Sequence, residues 1–235
     1  MEIKYIIISD RKEIDDLTFE SISACTTPEH VITAFYGMEN EPKSREESLN
    51  QIFDSMEEKE NSYVCIIPNG GTIIPHYQSL MEVYNANTTQ DELLLPMIQL
   101  IDYDESKEID FRGILNSCVW IPYLAGNYGF LDLNLAIQQI DVTLYGALIP
   151  SKIVKQFKLK TELKYFSFFE FYNNLSANEI VIKGVPKLIG SCFIDSDIKE
   201  ASNQEKTDLF ELAKEGYQDK ADKATANRRM ASVAK

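Results

Sequence analysis

The sequence predicts an α/β domain, a mixed but mostly parallel sheet flanked by helices, followed by a helical carboxyl-terminal tail. Three observations predict it. Short β-branched apolar runs alternate with stretches of helical periodicity through the first 85 residues, the pattern of β-α-β units with parallel strands. The length of 235 residues suits one sizeable α/β core and is short for two. From about Lys199 the composition changes: residues 199–235 hold eight Lys and Arg against seven Asp and Glu, while the whole chain carries a formal charge of −14. The division is therefore a domain over 1–198 and a tail over 199–235, with the acidity on the domain.

The elements follow in order. Ile3–Ser9 is a β-branched apolar run and reads as a buried parallel strand. Arg11 to Ala24 reads as a helix, with Ile14, Leu17, Ile22 and Cys25 at helical spacing, Asp10 as N-cap and Glu13 as its capping-box partner. Thr26-Thr27-Pro28 ends it. His30–Tyr36 is a second strand, and Ser44 opens a second helix. That helix carries Leu49, Ile52, Phe53 and Met56 inward, while Glu46, Glu47, Glu57, Glu58 and Lys59 face water. Tyr63–Ile67 is a third strand, Pro68-Asn69-Gly70-Gly71 a turn, and Pro75 the start of a third helix through Leu80, Met81 and Tyr84. Leu93–Ile101 is a strand in which Pro96 marks a bulge or an edge. Trp120 to Leu144 gives no clear periodicity. Tyr145–Ile149 reads as a strand, Ser151–Phe157 as a short helix, and the aromatic run Leu163–Leu175 as a helix or a buried strand. Glu179–Ile182 and Pro186–Phe193 read as two further strands. In the tail, Gln204–Gly216 reads as a helix with Leu209, Phe210, Leu212 and Tyr217 on an apolar stripe, suited to docking on a partner. A solvated, disordered terminus is the competing reading of that tail.

Charge and rare residues narrow the function. With 37 Asp and Glu against 23 Lys and Arg, the surface opposes nucleic-acid backbones and anionic membranes as partners. No apolar run approaches the roughly 20 residues of a membrane span. The stretch MEIKYIIISD is too short in apolar residues for a signal peptide, so a cytoplasmic or virion-associated protein is expected, not a secreted one. Cys25, Cys65, Cys118 and Cys192 are widely spaced without a C-x-x-C, which predicts free, mostly buried thiols rather than a disulfide framework or zinc site. His30 and His76 are the only histidines, too few for a His-rich metal site, and read as ordinary loop or helix-start residues.

The segments IKYIIISDR, HVITAFY, SREESLNQIFDSM, SYVCIIPNGGTIIPHYQSLMEVY, TLYGALIPSKIVKQF and KYFSFFEFYNNLSANEIVIKGVPKLIG together resemble, in the correct order, the blocks of family 2 glycosyltransferases of the GT-A fold. The resemblance covers roughly residues 1–192. It implies a Rossmann-like GT-A domain and, in an active member, a nucleotide-sugar donor with a divalent metal held by an Asp-x-Asp turn. The same comparison puts Pro68, Asn69, Gly70 and Gly71 where the metal turn falls, and Phe35, Tyr36 and Gly37 where the nucleoside-binding acids fall. At the catalytic acid pair stand Lys164 and Tyr165, with Glu170 the nearest carboxylate and a weak catalytic candidate.

If nucleotide binding is retained, the residues to hold it are Ser9, Arg11, Arg45, Asn69, Gly70 and Gly71. The glycines would offer backbone N–H groups to phosphate at a helix start, and Lys43 is a further nearby cation. Asp102 and Asp104 are candidate carboxylates after the fourth strand. The leading expectation is a catalytically degenerate glycosyltransferase-like domain acting as a structural or protein-interaction module, of the kind a viral (phage) particle or its assembly uses. It needs no cofactor, and its partner is a protein or a further copy of itself. The alternatives are an active transferase without the usual metal site, in which Arg or Lys stabilises the leaving diphosphate, and a sugar or nucleotide binder without chemistry.

Overall fold

The computed structural model describes residues 1–39, 42–86, 92–103, 109–112, 143–163, 167–178 and 180–194. The elements are β1 (Glu2–Ser9), α1 (Asp16–Ser23), β2 (Val31–Phe35), α2 (Arg45–Ser55), β3 (Ser62–Pro68), β4 (Thr72–Ile73), α3 (Tyr77–Asn85), β5 (Leu93–Tyr103), β6 (Ile109–Arg112), β7 (Ile149–Pro150), α4 (Ser151–Gln156), α5 (Ser167–Ala177) and β8 (Ile182–Ile194).

They form two four-stranded sheets. The first has the order β2-β1-β3-β7, with β2, β1 and β3 parallel and β7 antiparallel to β3. The second has the order β4-β8-β5-β6, with β5 and β8 parallel and the outer strands antiparallel. The segment leading into β7 stitches the sheets together, bridging Ile66 to Tyr145 and Leu94 to Leu148.

The apolar runs of β1 and β3 are buried on both faces, which is why they show no alternation in polarity. Ile6, Ile8, Val64 and Ile66 face a core with Leu49 and Phe53 of α2, Val154 of α4, and Phe171 and Leu175 of α5. Tyr5, Ile7, Cys65 and Ile67 face the other way, against Ile22 of α1 and Tyr77 and Met81 of α3. Each fully buried Ile or Leu contributes about 1.5–3 kcal/mol. Among the described residues, no helix is long and apolar enough to cross a membrane.

Several boundaries differ from the sequence reading. Helix α1 begins at Asp16, capped by Asp15 (Oδ1 accepts from Leu17 N at 2.9 Å), and not at Arg11 under Asp10. The chain before it is held as a loop by Asn69, which accepts from the Asp15 N–H and donates to the Glu13 carbonyl. Helix α3 begins at Tyr77, two residues after Pro75. The last two expected strands are one, β8. Between Val185, paired with Pro96, and Leu188, paired with Met97, the register shifts and leaves Pro186 and Lys187 unmatched. A bulge accommodates both prolines, which have no N–H to give the ladder. The expected strand Tyr145–Ile149 is interrupted by Gly146 at φ +72°, leaving a bridge at Tyr145 and the short β7. The run around Phe168 is helical. The expected helix Gln204–Gly216 and most of Trp120–Leu144 lie outside the described residues.

Candidate functional site

The order β2-β1-β3 sends successive connections away from β1 in opposite directions. The crevice between the carboxyl ends of β1 and β3 is therefore a topological switch point, where open α/β sheets bind ligands. Ser9 ends β1, and Asn69 follows the end of β3. The Asn69 amide bridges the crevice: Nδ2 donates to Ser9 Oγ (2.9 Å) and to Glu13 O (3.0 Å), and Oδ1 accepts from Asp15 N (2.8 Å). The turn's backbone donors are engaged too. Asn69 N–H bonds Ile8 O (2.8 Å), Gly70 N–H bonds Thr18 Oγ1 (2.9 Å), and Gly71 N–H bonds Pro68 O (2.8 Å). Gly70, at φ +87°, takes a conformation that an L side chain resists. The buried Ser9 hydroxyl donates to Arg11 O (2.7 Å) and accepts from Arg11 N (3.2 Å), while the Arg11 side chain is exposed.

The other wall of this edge is where α2 meets α5. Ser44 caps α2 in a full capping box with Glu47, and Ser48 Oγ donates to Phe35 O (2.7 Å), tying the helix to the end of β2. This places Arg45 and Glu46 in the first turn, beside Ser167 and Phe168 at the start of α5. Arg45 donates to Glu46 Oε1 from Nε (2.9 Å) and Nη2 (2.6 Å), and Ser167 Oγ donates to the same oxygen (2.6 Å). Arg45 Nη2 also lies 3.2 Å from Ser167 Oγ, and the guanidinium stacks 4.3 Å from the Phe168 ring centroid. Tyr145 meets that ring edge-on and accepts a hydrogen bond from Arg45. Burial opposes the Arg45 charge, but Tyr145 and Glu46 outweigh it and hold its pKa above the usual range. Burial pushes the Tyr145 phenol up, against the pull of Arg45. Two buried tyrosines fix the segment that carries Tyr145: Tyr172 OH donates to Thr143 O (2.7 Å), and Tyr77 OH donates to Gly146 O (2.9 Å).

Glu46 corrects the sequence reading, which sent it to water; its side chain is 3% exposed. The signal was present, since 46, 49 and 53 form one helical stripe with the core residues Leu49 and Phe53. Ser167, Phe168 and Tyr145 were also missed, having no motif of their own.

The structure brings Ser9, Asn69, Gly70 and Gly71 together and puts Arg45 in the separate α2–α5 cluster. Lys43 Nζ donates to Gln51 Oε1 (3.0 Å), along α2. Glu170, one turn after Ser167, is 7% exposed, and its Oε2 has no hydrogen-bond partner. Burial raises its pKa, Lys160 lowers it in part and Glu162 adds to the rise. Lys164, Tyr165, Asp104, Leu209, Phe210, Leu212 and Tyr217 lie outside the described residues. Of Asp102, the structure describes the backbone, paired with Asp110 and Ile194. Cys65 and Cys192 are free and buried, their thiols pushed up to about 12 by burial, and Cys25 is free and partly buried. The turn that follows β3 offers a divalent metal no carboxylate. Among the described residues, no group of three His, Cys, Asp or Glu is placed to hold one.

Two open grooves lie at the opposite end of the sheet. One, of about 390 Å³, runs between Glu58–Tyr63 and Pro150–Lys152. The other, of about 280 Å³, runs between Glu2, Lys4 and Ser55–Lys59. Both sit at the amino ends of β1 and β3, away from the switch point.

Sheet order, flanking helices and the stitched second sheet define a GT-A-like fold. Among solved structures, the chain is similar to TarS of S. aureus, whose GT-A-like fold it shares. Against the 1–349 fragment in complex with UDP, the TM-score is 0.59 at 13% identity, over 92% of this chain and 65% of that one. Against the fragment with UDP-GlcNAc, it is 0.56 at 11% identity, over 92% and 66%. A longer TarS chain gives 0.55 at 11% identity, over 85% and 38%. This chain thus spans about two thirds of the fragment's length, and the likeness is one of fold. No protein-family model matches the sequence, and no curated protein does.

Proposed function

We propose that this is a GT-A-like domain whose nucleotide-sugar crevice has been built over, leaving a structural or protein-interaction module without glycosyl transfer. One observation carries the reading. The polar groups expected to meet a nucleoside diphosphate at the switch point (the Asn69 amide, the backbone N–H groups of 69–71, the Ser9 hydroxyl) and the Arg45 guanidinium already bond to the chain itself. Asn69 stands where the resemblance puts a metal-binding carboxylate, and the charge of −14 opposes a diphosphate. A protein or a second copy of the chain is the partner this reading requires.

An active transferase is favoured by a different observation: buried Glu170, with a raised pKa and an unpartnered oxygen, has the environment of a general acid or base. Isothermal calorimetry with a panel of nucleoside-diphosphate sugars, with and without Mn²⁺, separates the two. The proposal expects no saturable heat. Metal-dependent binding with a Kd of about a micromolar would overturn it.

A further inference from the structure

We infer that Arg45 and Ser167 form an oxyanion cradle that the chain fills from within, with the Glu46 carboxylate as its permanent occupant. Neighbouring residues on a helix do not ordinarily face each other, yet Arg45 folds back on Glu46. An arginine fork commonly matches the two oxygens of a carboxylate one to one. Here Nε, Nη2 and the Ser167 hydroxyl all converge on the single oxygen Oε1, at 2.9, 2.6 and 2.6 Å. Phe168 lies against the guanidinium at 4.3 Å and fixes its plane. The cradle opens on the Arg45 side, whose side chain is 19% exposed against 3% for Glu46. The chemistry that fits it is a small oxyanion, a carboxylate or a phosphate group, and Glu46 excludes both by charge and by volume. The inference deepens the proposed function and rests on it, since it names the residue that keeps the Arg45 guanidinium occupied.

The test is anion rescue in the full chain. Glu46→Ala empties the cradle, whereas Glu46→Gln keeps it filled. Thermal melts are recorded against formate and inorganic phosphate, with wild type and Glu46→Gln reporting the general effect of these salts. The expected result is a saturable rise in the melting temperature of Glu46→Ala alone, roughly 5–10 °C at a hundred times Kd. Arg45→Met in the same background is expected to abolish it. If Glu46→Ala is unfolded in low salt, recovery of the folded signal on adding either anion supports the cradle. Persistent unfolding with both anions, or a melt that shifts no more than wild type, overturns it. Wild-type binding of UDP in a parallel titration would sink the proposed function instead, so the two failures are distinguishable.

Discussion

The two ends of the parallel sheet β2-β1-β3 are built on opposite principles. At the carboxyl end, Ser9, Thr18, Glu46, Ser48 and Ser167 are all buried, and each is hydrogen-bonded to another element or to a neighbouring loop. At the amino end, Lys4 and Glu2 form a partly exposed ion pair and Lys59 and Glu57 an exposed one, beside two open grooves. Open α/β sheets normally place their ligand crevice at the carboxyl end. Among the described residues, the polar side chains of that end are bonded within the chain. Asn69 ties β1 to the loop before α1, and Glu46 ties α2 to Ser167 at the start of α5.

If the carboxyl end holds the fold together, the largest effect comes from its buried ion pair. Arg45→Met leaves the Glu46 carboxylate buried without its cation and is expected to cost about 3–5 kcal/mol, read as a fall in the thermal midpoint. Arg45→Met with Glu46→Leu removes both charges and should recover most of the loss. A double variant no better than the single would mean that packing, not charge, dominates here. Next comes Asn69→Asp, which puts a carboxylate at the position where the resemblance expects a metal ligand. It replaces the Nδ2 donor to Glu13 O with a repelling oxygen and should cost about 1–3 kcal/mol, read in urea unfolding. If Asn69→Asp were neutral and gained Mn²⁺ affinity, the crevice would be a metal turn lacking only its acid.

The sheet was legible in the sequence, the polar bonding at its carboxyl end much less so. Ile3–Ser9 and Tyr63–Ile67 announce themselves because strands buried on both faces must be continuously apolar. Ser44 with Glu47 announces α2 because a capping box is a local pattern, and Pro96 marks the bulge because a proline cannot complete a ladder. The start of α1 was not legible: Asp10 and Asp15 are equally good caps locally, and Asn69, 54 residues beyond Asp15, decides between them. Glu46 looked like one more surface acid, because charge outweighs position when a helix face is read residue by residue. Arg45 beside it and Ser167, 121 residues away, together make its burial tolerable. Long-range polar contacts leave no period in a sequence, and here the candidate site is made of them.

Glu170 sharpens the comparison through pH. Burial raises its pKa, so between the unfolded and folded values the folded chain binds more protons than the unfolded one, and stability falls as pH rises through that window. Glu170→Gln cannot ionise and escapes the loss. Its stability relative to wild type should be highest near neutrality, with the advantage shrinking as pH falls through that window and gone below about 4.3. Paired urea midpoints at the two ends of that range measure it. An advantage that stayed constant with pH would assign the effect to hydrogen bonding rather than to burial of charge.

The smallest effect belongs to the open end. Lys59 lines both grooves, and its Nζ lies 2.6 Å from Glu57 Oε2, the shortest ion pair described there. Its side chain is 57% exposed and that of Glu57 is 74% exposed, so water already satisfies both charges and salt screens what attraction is left. The Lys59 carbonyl, which accepts from Ser62 N and Ser151 Oγ at 3.4 Å, survives any side-chain change. Lys59→Ala should therefore leave the thermal midpoint unchanged in low and high salt alike. A midpoint that fell as far as that of Asn69→Asp would show that the amino end is no less structural than the carboxyl end. The contrast between a carboxyl edge that carries the fold and an amino edge that does not would then be lost.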